Sequence, residues 1–307
     1  MINGLLVPNV TFFDEAGALD LDSMEWHMRW MFGHGVDGLF LTGSYGAGPL
    51  MSVDERAAVF ERAKAVADEF DGRTLIAHVG CIDTASTVLL AKSAERIGVD
   101  ALGAVPPFYY KHSEDLVVDF YSALVDATDL PVFAYNNPAT SRFSFTINTV
   151  RRLQAAGLAG MKDTPLEVGF VSRVFYEAKL SGLDFQMILG TSKGWLPFYD
   201  MGIRAMIGGM SNWAPEIMSA LVSATESGDR ARAEQLYLAM LDLSAKMHFT
   251  DSTIASQMGL YARGFDGGHA RRPMTLPPLT DPKYAEIRSW LEEGYADVGL
   301  PLEMGAD

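Results

Sequence analysis

A second cysteine is missing. Cys81 stands alone in 307 residues, which rules out an internal disulfide. With no activating partner near it in the chain, Cys81 reads as a small buried thiol rather than a nucleophile. Positive charge is scarce as well: 24 Lys and Arg face 39 Asp and Glu, a net charge of −15, and no basic run offsets it locally. That speaks against nucleic acid as a partner. No run of about 18 apolar residues occurs, and the start, Met1-Ile2-Asn3-Gly4-Leu5, lacks a basic segment before an apolar one. A cytoplasmic protein that does not engage a membrane is the expectation. The six histidines, His27, His34, His78, His112, His248 and His269, show neither His-x-His nor His-Glu-x-x-His spacing, so no metal site is expected.

Apolar runs of strand length alternate with longer amphipathic stretches. Gly4 to Phe13 precedes a helix over Asp20 to His34, and Gly38 to Leu41 precedes a loop and a helix that Ser52 caps, with Glu55 completing a capping box. The pattern repeats with Thr74 to Val79, Ala101 to Val105, Val132 to Tyr135, Leu158 to Lys162, Gln186 to Gly190 and Ala205 to Ile207, each followed by a helical stretch. Eight such units predict an α/β fold, a closed parallel (β/α)8 barrel over residues 1–214. Residues 215–307 are expected to supply the final barrel helix and a C-terminal helical extension. A doubly wound sheet is the rival, but no Gly-x-Gly-x-x-Gly joins the first strand to the first helix.

In such a barrel, catalytic groups sit at the C-terminal ends of the strands. Those ends carry Gly43-Ser44-Tyr45-Gly46-Ala47-Gly48, Pro106-Pro107-Phe108-Tyr109-Tyr110, Tyr135-Asn136-Asn137-Pro138 and Lys162. A lysine that ends a buried strand loses solvation, which lowers its pKa and leaves part of the amine nucleophilic toward a carbonyl. Alone, Lys162 could equally be a rim lysine reaching for water. The Gly43 loop could bind a carboxylate through backbone N–H groups and the Ser44 hydroxyl, or be only a tight turn. Tyr135 could shuttle a proton opposite the lysine, or be a buried phenol with one partner.

Taken together, Gly43-Ser44-x-Gly46, Pro107-Phe108-Tyr109, Tyr135-Asn136-x-Pro138 and Gly160-x-Lys162-Asp163-Thr164 resemble the dihydrodipicolinate synthase and N-acetylneuraminate lyase family of Schiff-base-forming pyruvate enzymes, from Gly4 to the Arg272-Pro273 region. The resemblance implies that Lys162 forms the Schiff base, Tyr135 relays protons, Ser44 holds the carboxylate and the Ile207 backbone lines the pocket. It also implies a homotetramer, in which Tyr109 reaches a neighbouring site, and no cofactor beyond the lysine itself. Two loop positions depart from the family pattern: Tyr45 replaces a threonine and Ala47 a glutamate, so that a hydroxyl relay could run through Tyr45. Thr140 stands where a condensing dihydrodipicolinate synthase carries arginine.

Gly46 to Pro49 and Lys162-Asp163-Thr164 look closer to the 2-keto-3-deoxygluconate aldolases of that family. Tyr45, Asn137, Thr140, Thr164, Thr191 and Ser192 are expected to face the substrate beyond its pyruvate half, without arginine or lysine among them. Neutral hydroxyls and amides suit a sugar chain. The expected reaction is cleavage of a 2-keto-3-deoxy sugar acid to pyruvate and a hydroxyaldehyde. Sugar-acid dehydration, a dihydrodipicolinate synthase-like condensation if Arg142 turns inward, and a non-enzymatic 2-keto acid sensor are the alternatives.

Overall fold

The computed structural model describes residues 1–305. Its eight strands are β1 (Gly4–Val7), β2 (Gly38–Leu41), β3 (Thr74–His78), β4 (Ala101–Ala104), β5 (Val132–Asn136), β6 (Gly160–Asp163), β7 (Gln186–Leu189) and β8 (Ala205–Ile207). Each pairs in parallel with the next and β8 returns to β1, closing the barrel in sequence order. Because side chains alternate along a strand, each strand serves two cores. Leu6, Phe40, Ile76, Phe133, Tyr135, Ile188 and Ile207 fill the interior, while Leu5, Leu39, Ala77, Met161, Met187 and Met206 pack outward with the helices.

The expected first strand is too long. It stops at Val7 because Pro8 has no N–H to give the ladder, and Phe13 instead makes antiparallel bridges to Leu19 and His269. β6 begins at Gly160 rather than Leu158, whose N–H turns back to the Leu153 carbonyl. The capping box at Ser52 and Glu55 forms reciprocally, starting the helix Val53–Ala67. A one-turn helix, Pro138–Ser141, follows β5.

The helix Pro215–Glu226 packs against β1 as the eighth barrel helix. Arg230–Lys246, Ser252–Ala262 and Lys283–Asp297 follow, and their Leu236, Met240, Met258 and Leu291 belong to the same apolar cluster as the outward strand residues. A buried ion pair locks this end. Arg263, fully buried, donates to both Glu216 carboxylate oxygens (3.0 and 2.6 Å) and to the Glu303 carbonyl, while Tyr295 Oη donates to Glu216. No helix among the described residues is long and apolar enough to cross a membrane.

Candidate active site

Strand register brings the two leading residues together. Tyr135 on β5 pairs directly with Lys162 on β6, so both side chains project into the barrel at one level near its C-terminal end. Lys162 is 3% exposed, and its Nζ lies 3.8 Å from the centre of the Tyr135 ring and 3.9 Å from that of Phe40. Burial pulls the amine below the usual lysine range, with Tyr135 opposing that shift in part. For Tyr135, burial alone would raise the phenol. The Lys162 charge and the nearby Thr164, Lys162 and Ser44 groups outweigh it and bring the phenol below its ordinary value. A less basic amine beside a more acidic phenol suits imine formation and proton transfer.

Phe40, which the sequence reading did not single out, forms the platform under the amine. Its ring fits because two glycines flank it: a Cβ on Gly43 would stand 2.7 Å from Cε1, and one on Gly103 2.8 Å from Cε2. Behind Tyr135 lies a buried polar group. His78 meets the Tyr135 ring edge-on with centroids 5.9 Å apart, and its Nδ1 is 3.1 Å from Arg56 Nη2. Arg56 also donates to the Gly80 carbonyl, Thr42 Oγ1 and Cys81 Sγ, and no carboxylate among the described residues pairs with it. Burial, together with the Arg56 and Lys162 charges, holds His78 well below the usual imidazole range, so the ring is neutral. These residues carry no motif spacing. Only the inward parity of Phe40 and His78 on their strands could have pointed to them.

Strand alternation sends the neighbours of the pair the other way. Asp163 accepts from Asn136 Nδ2 (2.5 Å) and from the Leu166 N–H (2.8 Å), pinning the ends of β5 and β6 to each other outside the barrel interior. Burial raises this carboxyl, which those hydrogen bonds oppose.

A cavity of about 780 Å³ opens above the pair. Ser44, Tyr45, Tyr135, Asn137, Lys162, Thr164, Thr191, Ser192 and Ile207 all line it. Thr164 Oγ1 is buried without a hydrogen-bond partner among the described residues, free to meet a ligand hydroxyl. Thr140, expected at the cavity, lies elsewhere, and Arg142 and Tyr109 are outside it too. Thr140 is exposed in the one-turn helix, its hydroxyl spent on the Asn137 carbonyl (3.2 Å). Arg142 is exposed and ends that helix in the left-handed region. Tyr109 sits in an outer loop, 71% exposed with φ 80°, its ring edge-on to Tyr110.

Tyr45 turns toward the C-terminal extension. Its phenol occupies the space a Gly209 side chain would fill, and burial raises its pKa. Its carbonyl accepts from Thr253 Oγ1 at 3.0 Å. The extension thereby supplies a wall that the sequence did not reveal: Ser244, His248, Asp251, Ser252 and Ser256. Lys193 lines the cavity too, which corrects the expectation that no second cation faces it. The serine-rich wall comes from later helices, whose folding back over the barrel the strand pattern does not predict, whereas Lys193 stands in the turn after β7 beside Thr191 and Ser192.

The sequence profile of the dihydrodipicolinate synthetase family matches residues 1–293. An uncharacterised DapA-like lyase of Halobacterium salinarum is 31% identical over 301 residues, 97% of this chain and 95% of that protein. The N-acetylneuraminate lyase of Enterobacter sp. (strain 638) is 33% identical over 238 residues, covering 76% and 78% of the two chains. In fold, the chain superposes with a TM-score of 0.87 on YagE, a prophage protein of the dihydrodipicolinic acid synthase family from E. coli K12 solved with pyruvate, at 24% identity and 96% and 99% coverage. With the buried lysine at its strand end, these likenesses establish that the chain belongs to the dihydrodipicolinate synthetase family, pyruvate-dependent lyases that work through a lysine Schiff base without an external cofactor.

Proposed function

We propose that this lyase reversibly cleaves a 2-keto-3-deoxy sugar acid to pyruvate and a hydroxyaldehyde. Lys162 is the nucleophile: its amine adds to the C2 carbonyl, water leaves, and the protonated imine becomes the electron sink. Tyr135 takes the proton of the C4 hydroxyl, the C3–C4 bond breaks, the aldehyde departs, and the electron pair rests in the enamine. That proton then returns to C3, and hydrolysis of the imine releases pyruvate. Ser44 and the backbone at Ile207 hold the keto-acid end, and Thr164, Thr191 and Ser192 meet the chain. The observation that carries this reading is the buried Lys162 amine 3.8 Å from the Tyr135 ring, under a cavity with several uncharged hydroxyls on its wall.

Borohydride reduction in the presence of pyruvate is expected to add one pyruvate-derived mass at Lys162, and Lys162→Ala to lose both the adduct and turnover. A fully active Lys162→Ala protein overturns the mechanism. Substrate is read from steady-state kinetics with pyruvate plus glyceraldehyde, glycolaldehyde or aspartate semialdehyde, where a preference for the hydroxyaldehydes is expected. Lys193 on the cavity wall favours a second reading, condensation with an aldehyde that bears its own carboxylate, and a clear preference for aspartate semialdehyde would establish it. Release of water without pyruvate would assign sugar-acid dehydration instead.

The exposed Tyr109 and Tyr110 side chains fit a homotetramer in which Tyr109 completes a neighbour's site. Sedimentation is expected to give a tetramer. A monomer of full activity would remove that role. A cytoplasmic location is part of the same reading.

A further inference from the structure

We propose that Asn137 is a positioning residue for the lyase reaction: its Nδ2–H donates to Tyr135 Oη at 3.2 Å and holds that oxygen as the proton acceptor facing the substrate. The inference rests on the Schiff-base reading above and deepens it. The Asn137 amide makes a direct hydrogen bond to this oxygen, and Lys162, Thr164 and Ser44 lie close enough to act on it as well. Asn137 is itself 8% exposed, lines the cavity and lies two residues beyond Tyr135. Its backbone carbonyl is held independently, accepting from the N–H groups of Thr140 and Ser141 and from both hydroxyls, so the amide starts from a fixed anchor.

The chemistry follows from the direction of donation. A phenol that donates to a fixed acceptor keeps its proton tied there, whereas one that has given its proton to the water leaving during imine formation, and accepts from an amide as the ionised oxygen, keeps a lone pair for the C4 hydroxyl proton. An N–H donor also stabilises the ionised oxygen more than the neutral one. The other groups facing Tyr135 are Lys162, Thr164 and Ser44, which favour ionisation, the neutral His78 ring on the far side, and the Tyr45 phenol. The loop tyrosine sits apart from this bond, its hydroxyl lying against Gly209.

The test uses the full-length protein with Asn137→Leu, which keeps the shape and removes the donor, and Asn137→Asp, which replaces it with an acceptor. Tyrosine ionisation is titrated by near-ultraviolet absorbance without substrate, with Tyr135→Phe identifying the step that belongs to Tyr135. In both Asn137 variants that step is expected to move to higher pH, further for Asn137→Asp. In turnover, kcat for cleavage is expected to fall about tenfold or more in Asn137→Leu, the size of one lost hydrogen bond to a charged group. The ascending limb of its pH profile should shift the same way, and half-saturation for pyruvate trapping at Lys162 should hold. An unmoved tyrosine titration overturns the proposal, as does a variant whose only defect is a raised KM, which would make Asn137 a substrate contact. If trapping fails at Lys162 in the unsubstituted protein while the titration moves, the Schiff-base reading falls and the Asn137 to Tyr135 bond stands.

Discussion

Lys162 carries a cost that its function explains. The folded chain holds its amine below the ordinary pKa of 10.5, so the unfolded chain binds more protons between the two values and stability rises with pH across that window. At neutral pH the penalty is present, and Lys162→Met is expected to raise the melting temperature there, by on the order of 1 kcal/mol of stability per pKa unit of depression. The gain should shrink as pH climbs toward 10.5. Differential scanning at pH 7 and pH 10 checks the sign, and equal destabilisation at both would contradict it. Lys162 and Tyr135 were legible in the sequence because a charged or phenolic group that ends an apolar run stands out. Phe40, Arg56 and His78 were not, since a buried aromatic or a cation far from a motif looks like any core or capping residue until strand parity places it.

Among the elements, strain gathers on one face. The non-glycine residues with positive φ among the described residues are Thr42, Ala47, Tyr109, Arg142 and Leu166, all in segments leaving the C-terminal ends of β2, β4, β5 and β6. Such conformations persist where the surroundings over-determine them, as around a site. Glycines act in the same region by making room: Gly103→Ala is expected to push the Phe40 ring against the Gly43 backbone side, costing about 1–3 kcal/mol and lowering the rate of imine formation. Denaturant melts and borohydride trapping rates check both effects, and an unchanged trapping rate would free Phe40 from the role of platform. The order of strands and helices was readable because apolar runs and capping residues repeat eight times. The one-turn helix Pro138–Ser141 was not, and it is what carries Thr140 away from the cavity.

For the molecule as a whole, buried imidazoles set the acid limit. Burial lowers His27 to about 4, with its Nε2 held against the Asn212 carbonyl at 2.8 Å, and His78 is depressed as well. Their unfolded forms protonate first as pH falls through 6.5, so stability is expected to drop by about 1.4 kcal/mol per pH unit for each histidine, for His27 until about pH 4. His27→Gln should flatten that slope in melts between pH 7 and 5. The C-terminal helices share the barrel's apolar cluster and wall its cavity, so a chain ending at residue 226 is expected to give no folded barrel by circular dichroism; a cooperative melt from it would make the extension a separable appendage. The sequence predicted these helices but not their place, because amphipathic spacing names a buried face without naming its partner. Lys162 lies buried on the cavity wall with no carboxylate beside it among the described residues, in a protein whose net charge is −15. The fold leaves its counter-ion to be delivered by the ligand. A keto acid brings one and a plain ketone does not, so acetone should be trapped far less readily than pyruvate, and small inorganic anions should compete with pyruvate before any aldehyde is involved.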